Sequence, residues 1–149
     1  MRTQSNWTDR GLFLLRAILG VVFIMHGGQK LFVYGHDGVT AMFASMGMPW
    51  PSLNAFLITA VELGGGIALA TGVATRAAAV LVAFAMGVAV IKVHLVNGFF
   101  APAGFEYPLT LLVANLALAL TGAGRYSIDA LVKGRRRAPD AQGGWKIAA

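Results

Sequence analysis

Apolar residues in this chain run in four long blocks rather than in short alternations. The first extends from Gly11 to Tyr34 and is interrupted by Arg16 and His26. The second, Leu53 to Thr71, carries Glu62 as its only charge. The third, Ala77 to Leu95, holds Lys92 and His94 near its end, and the fourth, Phe105 to Thr121, has Pro108 in its first turn. At 1.5 Å per residue each block reaches roughly 25–36 Å, enough to cross a hydrocarbon core. The pattern predicts an all-α integral membrane four-helix bundle. Ser52, after Pro51, predicts an N-cap for the second span. Between the first two blocks, Val39 to Met46 predicts one or two turns of amphipathic helix ended by Gly47 and Pro49. That helix is expected to lie in the interface over the outer mouth of the bundle. The first block is too long for a cleaved leader and offers no small-residue cleavage site before His26.

Composition strengthens this reading. Of 149 residues, 57% are hydrophobic and only 12% charged, and the mean hydropathy is +0.69. Soluble domains average about 45–50% apolar and about 25% charged residues, so a water-soluble globule and a disordered chain are both excluded. Four spans are expected to leave no room in these 149 residues for a soluble catalytic domain. The absence of cysteine excludes disulfide exchange, thiolate zinc sites and cysteine-ligated iron–sulfur clusters on this chain. Residues 1–131 are expected to form the transmembrane domain. Residues 132–149, polar and interrupted by Pro139 and Gly143–Gly144, read as a basic, disordered cytoplasmic tail.

The net charge of +6 is unevenly placed. Arg2 and Arg10 precede the first span, Arg76 sits in the turn between the second and third, and Arg125 to Lys146 follow the last. The connections Gly35 to Ser52 and Val96 to Gly104 contain no lysine or arginine. Both termini and the Arg76 turn are therefore expected in the cytoplasm. The arginine cluster of the tail points to membrane lipid as a partner, at about 1 kcal/mol per charge near an anionic surface. A basic tail without interleaved aromatics does not point to nucleic acid.

The informative residues are the polar ones at bilayer depth. An ionisable group there costs at least about 2.5–3.5 kcal/mol and needs a partner or a wet cavity. Glu62 lies roughly nine residues from the cytoplasmic end of its span, and His26 and Lys92 roughly fifteen, with His94 and Lys30 further out. Glu106 stands at the outer end of span four. At 100° per residue, Arg16, His26 and Lys30 fall within about 80° of one another, which makes either Arg16 or His26 a partner for Glu62 by depth. Arg16 and Lys30 have a plainer alternative, which is to snorkel to the two interfaces. Lys92 and His94 are about 200° apart, so one points outward or the helix is unwinding there. Lys92 is expected inside, with His94 near Asn97 and Glu106. Ala60, Gly64 and Ala68 form a small-residue ridge, and Gly64, Gly65 and Gly66 admit either a close helix or a flat ligand. A haem held by His26 and His94 is disfavoured by their facing.

With these residues in view, the chain resembles the DoxX family of small bacterial membrane proteins. The resemblance rests on His26-Gly-Gly-Gln-Lys-Leu-Phe32, Glu62-Leu-Gly-Gly-Gly with Gly72-Val-Ala-Thr-Arg76, His94-Leu-Val-Asn-Gly-Phe-Phe100 with Gly104-Phe-Glu-Tyr-Pro108, and Gly122-Ala-Gly-Arg-Tyr-Ser-Ile-Asp129. It implies an inner-membrane oxidoreductase subunit, linked in relatives to quinones and to soluble redox partners. The resemblance implies a quinone as the cofactor, for which these residues could supply hydrogen-bond donors and a proton route. His26, Glu62 and Lys92 are then the catalytic candidates, and Arg16, Lys30, Gly64, Gly65, Gly66, His94 and Glu106 the binding candidates. No metal site is expected. Transport of a small solute or proton, favouring a homo-oligomer, and a scaffold role for a soluble redox enzyme stand as alternatives.

Overall fold

The computed structural model describes residues 2–136, which form helices and the turns that join them, with no strand among them. Helix α1 spans Arg2–Gly28 and passes through a π-helical segment, Gln29–Tyr34, into α2, Gly35–Ser45. Helix α3 spans Pro51–Thr71 and α4 spans Thr75–Ala89. A second π-helical segment, Val90–His94, and a 3₁₀ turn, Leu95–Asn97, extend α4. Helices α5, Glu106–Thr121, and α6, Ile128–Arg136, complete the described chain. Asn6–Ser45, Pro51–Thr71 and Thr75–Asn97 are long and apolar enough to cross a membrane, and Glu106–Thr121 is a shorter apolar helix. Each of the four expected spans thus has its helix.

Several expectations are adjusted. The N-terminal polar residues are helical, so α1 begins well before Gly11. Pro51 is the first residue of α3, with Trp50 before it in the left-handed region. Ser52 therefore lies inside the helix, and its hydroxyl bonds His36 Nε2 at 2.9 Å instead of capping. The short helix after span one is present as α2. It buries Val39 and Phe43 in a small cluster with Ala55, flanked by Met48 and Ile58. Helix α6 crosses the expected boundary at residue 131 and reaches Arg136. The disorder expected for the rest of the tail falls outside the described residues.

Packing is set by glycines between α1 and α3. A methyl carbon on Gly27 would stand 2.5 Å from the Leu63 nitrogen, and one on Gly66 would stand 2.7 Å from the Ile24 nitrogen. One on Gly20 would stand 2.7 Å from the Ala70 Cβ. The two backbones therefore touch along their length, as small residues allow in membrane helices. On the other side of α3, Gly65 faces Val82 of α4, where a methyl carbon would meet the side chain at 2.6 Å. Leu19, Phe23, Leu69, Val82 and Leu118 fill the centre. The contact ridge is thus Gly66 and Ala70, not Ala60–Gly64–Ala68. Gly64 is exposed, and a methyl carbon on it would meet nothing within 4 Å.

This geometry separates adjacent glycines. Gly66→Ala should lower the melting temperature in detergent, because overpacking costs about 1–3 kcal/mol. Gly64→Ala should leave it unchanged or raise it, because removing a helical glycine gains about 0.5–1 kcal/mol. Equal effects at the two positions would contradict the α1–α3 contact.

Candidate functional site

The close approach of α1 and α3 brings Lys30 and Glu62 together. Lys30 Nζ donates to Glu62 Oε2 at 2.6 Å, with side-chain exposures of 18% and 6%. Glu62 shares the buried face of α3 with Ala55, Gly66 and Leu69. Lys30 belongs to the π-helical segment, where the chain makes a wider turn. Such segments inside helices are rare and occur often at functional sites. Glu62 therefore pairs with Lys30, and neither Arg16 nor His26 is its partner.

Arg16 has a different task. It is 1% exposed. Its Nη1 donates to the Leu69 carbonyl at 3.2 Å, and its Nη2 donates to the Tyr126 carbonyl. Its guanidinium lies 5.7 Å from the centre of the Phe13 ring. Leu69 and Ala70 are in the last turn of α3, where carbonyls lack helical partners and carry partial negative charge. Arg16 thus ties the end of α3 to the chain entering α6, and it does not snorkel. Gly72, at φ +75°, leaves space for the guanidinium that a side chain would occupy.

His26 is exposed on α1, one turn before Lys30, and makes no hydrogen bond among the described residues. Lys92 is also exposed, and it has no ion pair or hydrogen bond among the described residues. The expectation that it points into the bundle is overturned. The reason is local. Val90–His94 is π-helical and is followed by a 3₁₀ turn, so a constant 100° step no longer applies. His94 is where it was expected, near the loop. Its Nδ1 pairs with the Ala103 carbonyl at 2.8 Å, to which Asn97 Nδ2 also donates at 3.3 Å. Glu106 Oε1 accepts from the Ala101 amide at 2.9 Å. His94 and Glu106 therefore order the 98–105 connection and do not join the Lys30–Glu62 pair. Of the three glycines expected to line a ligand, Gly65 and Gly66 are filled by neighbouring helices and only Gly64 is open.

Three polar residues were missed. Asn115 is fully buried on α5. Its Nδ2 donates to the Leu111 carbonyl, and its Oδ1 has no partner. His36 holds α2 to α3 through Ser52. Asp129 accepts from the Ala74 amide at 2.8 Å and the Thr75 amide at 3.0 Å. That last role had a signal. Ala74 precedes α4 and has no side-chain acceptor, so the orphan amides there had to be satisfied from elsewhere. Among the described residues, no three His, Asp or Glu side chains gather as a metal-ligand group.

The apolar spans, the glycine-packed helices and the Lys30–Glu62 pair with its buried carboxylate define a multi-pass helical membrane protein. The DoxX family model matches residues 11–95, and the chain belongs to the DoxX family. It is 39% identical over 127 residues to the Bacillus subtilis (strain 168) protein named "Putative oxidoreductase CatD", covering 85% of this chain and 90% of that one. It is 33% identical over 128 residues to the Escherichia coli (strain K12) inner membrane protein YqjF, covering 83% of this chain and 93% of that one. A second protein of that strain, inner membrane protein YphA, is 33% identical over 124 residues, with 79% and 87% covered. No solved structure matches. The relatives and the apolar helices together make this an inner-membrane, multi-pass protein.

The ion pair generates a direct expectation. Lys30→Met leaves a buried carboxylate, and Glu62→Leu leaves a poorly solvated ammonium. Each should destabilise by about 3–5 kcal/mol. The combined variant removes both charges and should recover most of that loss in detergent melts. Losses that simply add would show that the two groups are not coupled.

Proposed function

We propose that this DoxX protein is a membrane-embedded redox subunit that binds a quinone beside Lys30 and His26 and works with a partner electron donor. The observation that carries the reading is the asymmetry of the ion pair. Glu62 is sealed behind α1, whereas Lys30 reaches the helix surface one turn from an exposed, unbonded His26. This polar patch on the flank of a span is open to molecules dissolved in the bilayer. It is not a passage through the bundle, whose centre is filled by Leu69, Val82 and Leu118.

A bound quinone supplies two-electron, two-proton chemistry. Lys30 has three N–H donors and gives one to Glu62, so two remain for a carbonyl oxygen. His26 offers a second donor through its protonated ring nitrogen. In this reading Glu62, hydrogen-bonded to Lys30, takes or returns a proton through that ammonium, which is general acid–base work. Electrons come from a partner, since this chain lacks the cysteines for thiol or iron–sulfur chemistry.

Solvent extraction of protein prepared in gentle detergent should yield up to one quinone per chain. Lys30→Met should lower occupancy more than His26→Ala, because a charge-assisted hydrogen bond is roughly twice as strong as a neutral one. Lys92→Met should leave occupancy unchanged, because Lys92 is exposed on another helix. Absence of quinone in repeated preparations, with none taken up on titration, would contradict the reading.

We also propose that both termini face the cytoplasm. Asp9 beside Arg125, Arg76 beside Gly122, and the start of α6 all gather at one end of the bundle. The basic residues on those segments then share one side of the membrane. Tags at either terminus should be unlabelled by impermeant reagents in intact cells. Labelling from outside would reverse the orientation.

A further inference from the structure

A second polar feature lies at the basic end, far from Lys30 and Glu62. A cavity of about 450 Å³ opens between the first turn of α4 and the connector from α5 to α6. Arg76 lies along one wall and Gly122 and Gly124 form another. These glycines have φ of +87° and +70°, a region L side chains rarely adopt. A methyl carbon on Gly122 would also crowd Arg76 Nε at 3.1 Å. The sequence thus keeps this wall as bare backbone beside a guanidinium.

The other polar side chains of the lining are engaged. Thr121 donates to the Ala117 carbonyl. Ser127 donates to the Gly124 carbonyl and accepts from the Ala130 amide. Asp129 spends its oxygens on the Ala74 and Thr75 amides, so the α4 N-terminus is already occupied. Its charge also acts on the buried Arg16. Arg76 has no hydrogen bond or ion pair to any described residue. Its donors, up to five, are free toward the cavity, in a fork that matches phosphate oxygens.

Position narrows the anion. The cavity is at the level where α3 and α5 end and α4 begins, the depth of lipid headgroups. Val80, one turn along α4 from Arg76, is 54% exposed, and Leu120 of α5 is 79% exposed. Both are exposed apolar side chains within a turn, along their helices, of the cavity-lining residues Arg76 and Thr121. We propose that this cavity is a binding site for the phosphate of an anionic phospholipid, with Arg76 as its charged ligand and the Gly122–Gly124 backbone as its wall. Inorganic phosphate shares the headgroup chemistry but gains nothing from Val80 and Leu120.

The test uses the full chain reconstituted in vesicles of phosphatidylglycerol and phosphatidylcholine, extracted in mild detergent and weighed by native mass spectrometry. Wild type should retain one phosphatidylglycerol per chain. Arg76→Gln should weaken retention about tenfold, a loss of about 1.4 kcal/mol. Ala77→Leu, which narrows the cavity without changing charge, should also weaken it. Arg125→Gln removes a charge from the same face outside the cavity and should retain the lipid. Detergent melts of the variants should match wild type, because Arg76 is exposed. Equal losses in Arg76→Gln and Arg125→Gln would reduce the effect to general surface charge and overturn the proposal. Displacement of the lipid by excess inorganic phosphate would assign the site to free phosphate and also overturn it.

Discussion

The close contact of α1 and α3 is the constraint on which the rest depends. Gly27 against Leu63 and Gly66 against Ile24 let two backbones approach where side chains would hold them apart. Without that approach Lys30 could not reach Glu62 at 2.6 Å. A carboxylate at bilayer depth would then stand alone, at a cost of several kcal/mol. The packing and the charge are therefore one problem with one solution. The same contact places Arg16 under the end of α3, where it satisfies carbonyls that the helix leaves open.

Two π-helical segments divide the bundle into a regular half and an adjusted half. The basic end is built from ordinary α-helix, held by Arg16 and Asp129 at the ends of α3 and α4. In the far half, Gln29–Tyr34 carries Lys30 and Val90–His94 carries Lys92 and His94. The two segments have opposite outcomes. The first turns its lysine against a carboxylate, and the second leaves its lysine exposed and ties its histidine to a loop carbonyl. Polar residues of the same type at similar depth thus have different chemical environments.

Most of the architecture was legible because hydropathy and length dictate it. The four blocks became helices with displaced ends, and the short helix before Gly47 was found from its own pattern. That Glu62 needs a partner was legible too, since a carboxylate inside an apolar run must have one. Its partner was not, because depth arithmetic from a constant helical rise favoured Arg16 and His26. A lateral contact between helices and a π-helical turn decided for Lys30. The glycine triplet was read as a place of close approach by a helix or a flat ligand; Gly65 and Gly66 meet helices and Gly64 is open, a division not legible in the sequence. Which glycine meets a neighbour depends on helix rotation, and sequence periodicity in an evenly apolar helix carries little information about rotation.

The polar patch of His26 and Lys30 on the first span, with Glu62 behind it, is the centre of the proposed quinone chemistry. A photoreactive, lipid-soluble quinone analogue added to membranes, followed by peptide mapping, tests it most directly. Labelling should concentrate on the α1 segment that carries His26 and Lys30, and it should fall with Lys30→Met and with excess unlabelled quinone. Labelling confined to the α4 segment around Lys92, or spread over the spans without competition by quinone, would contradict it.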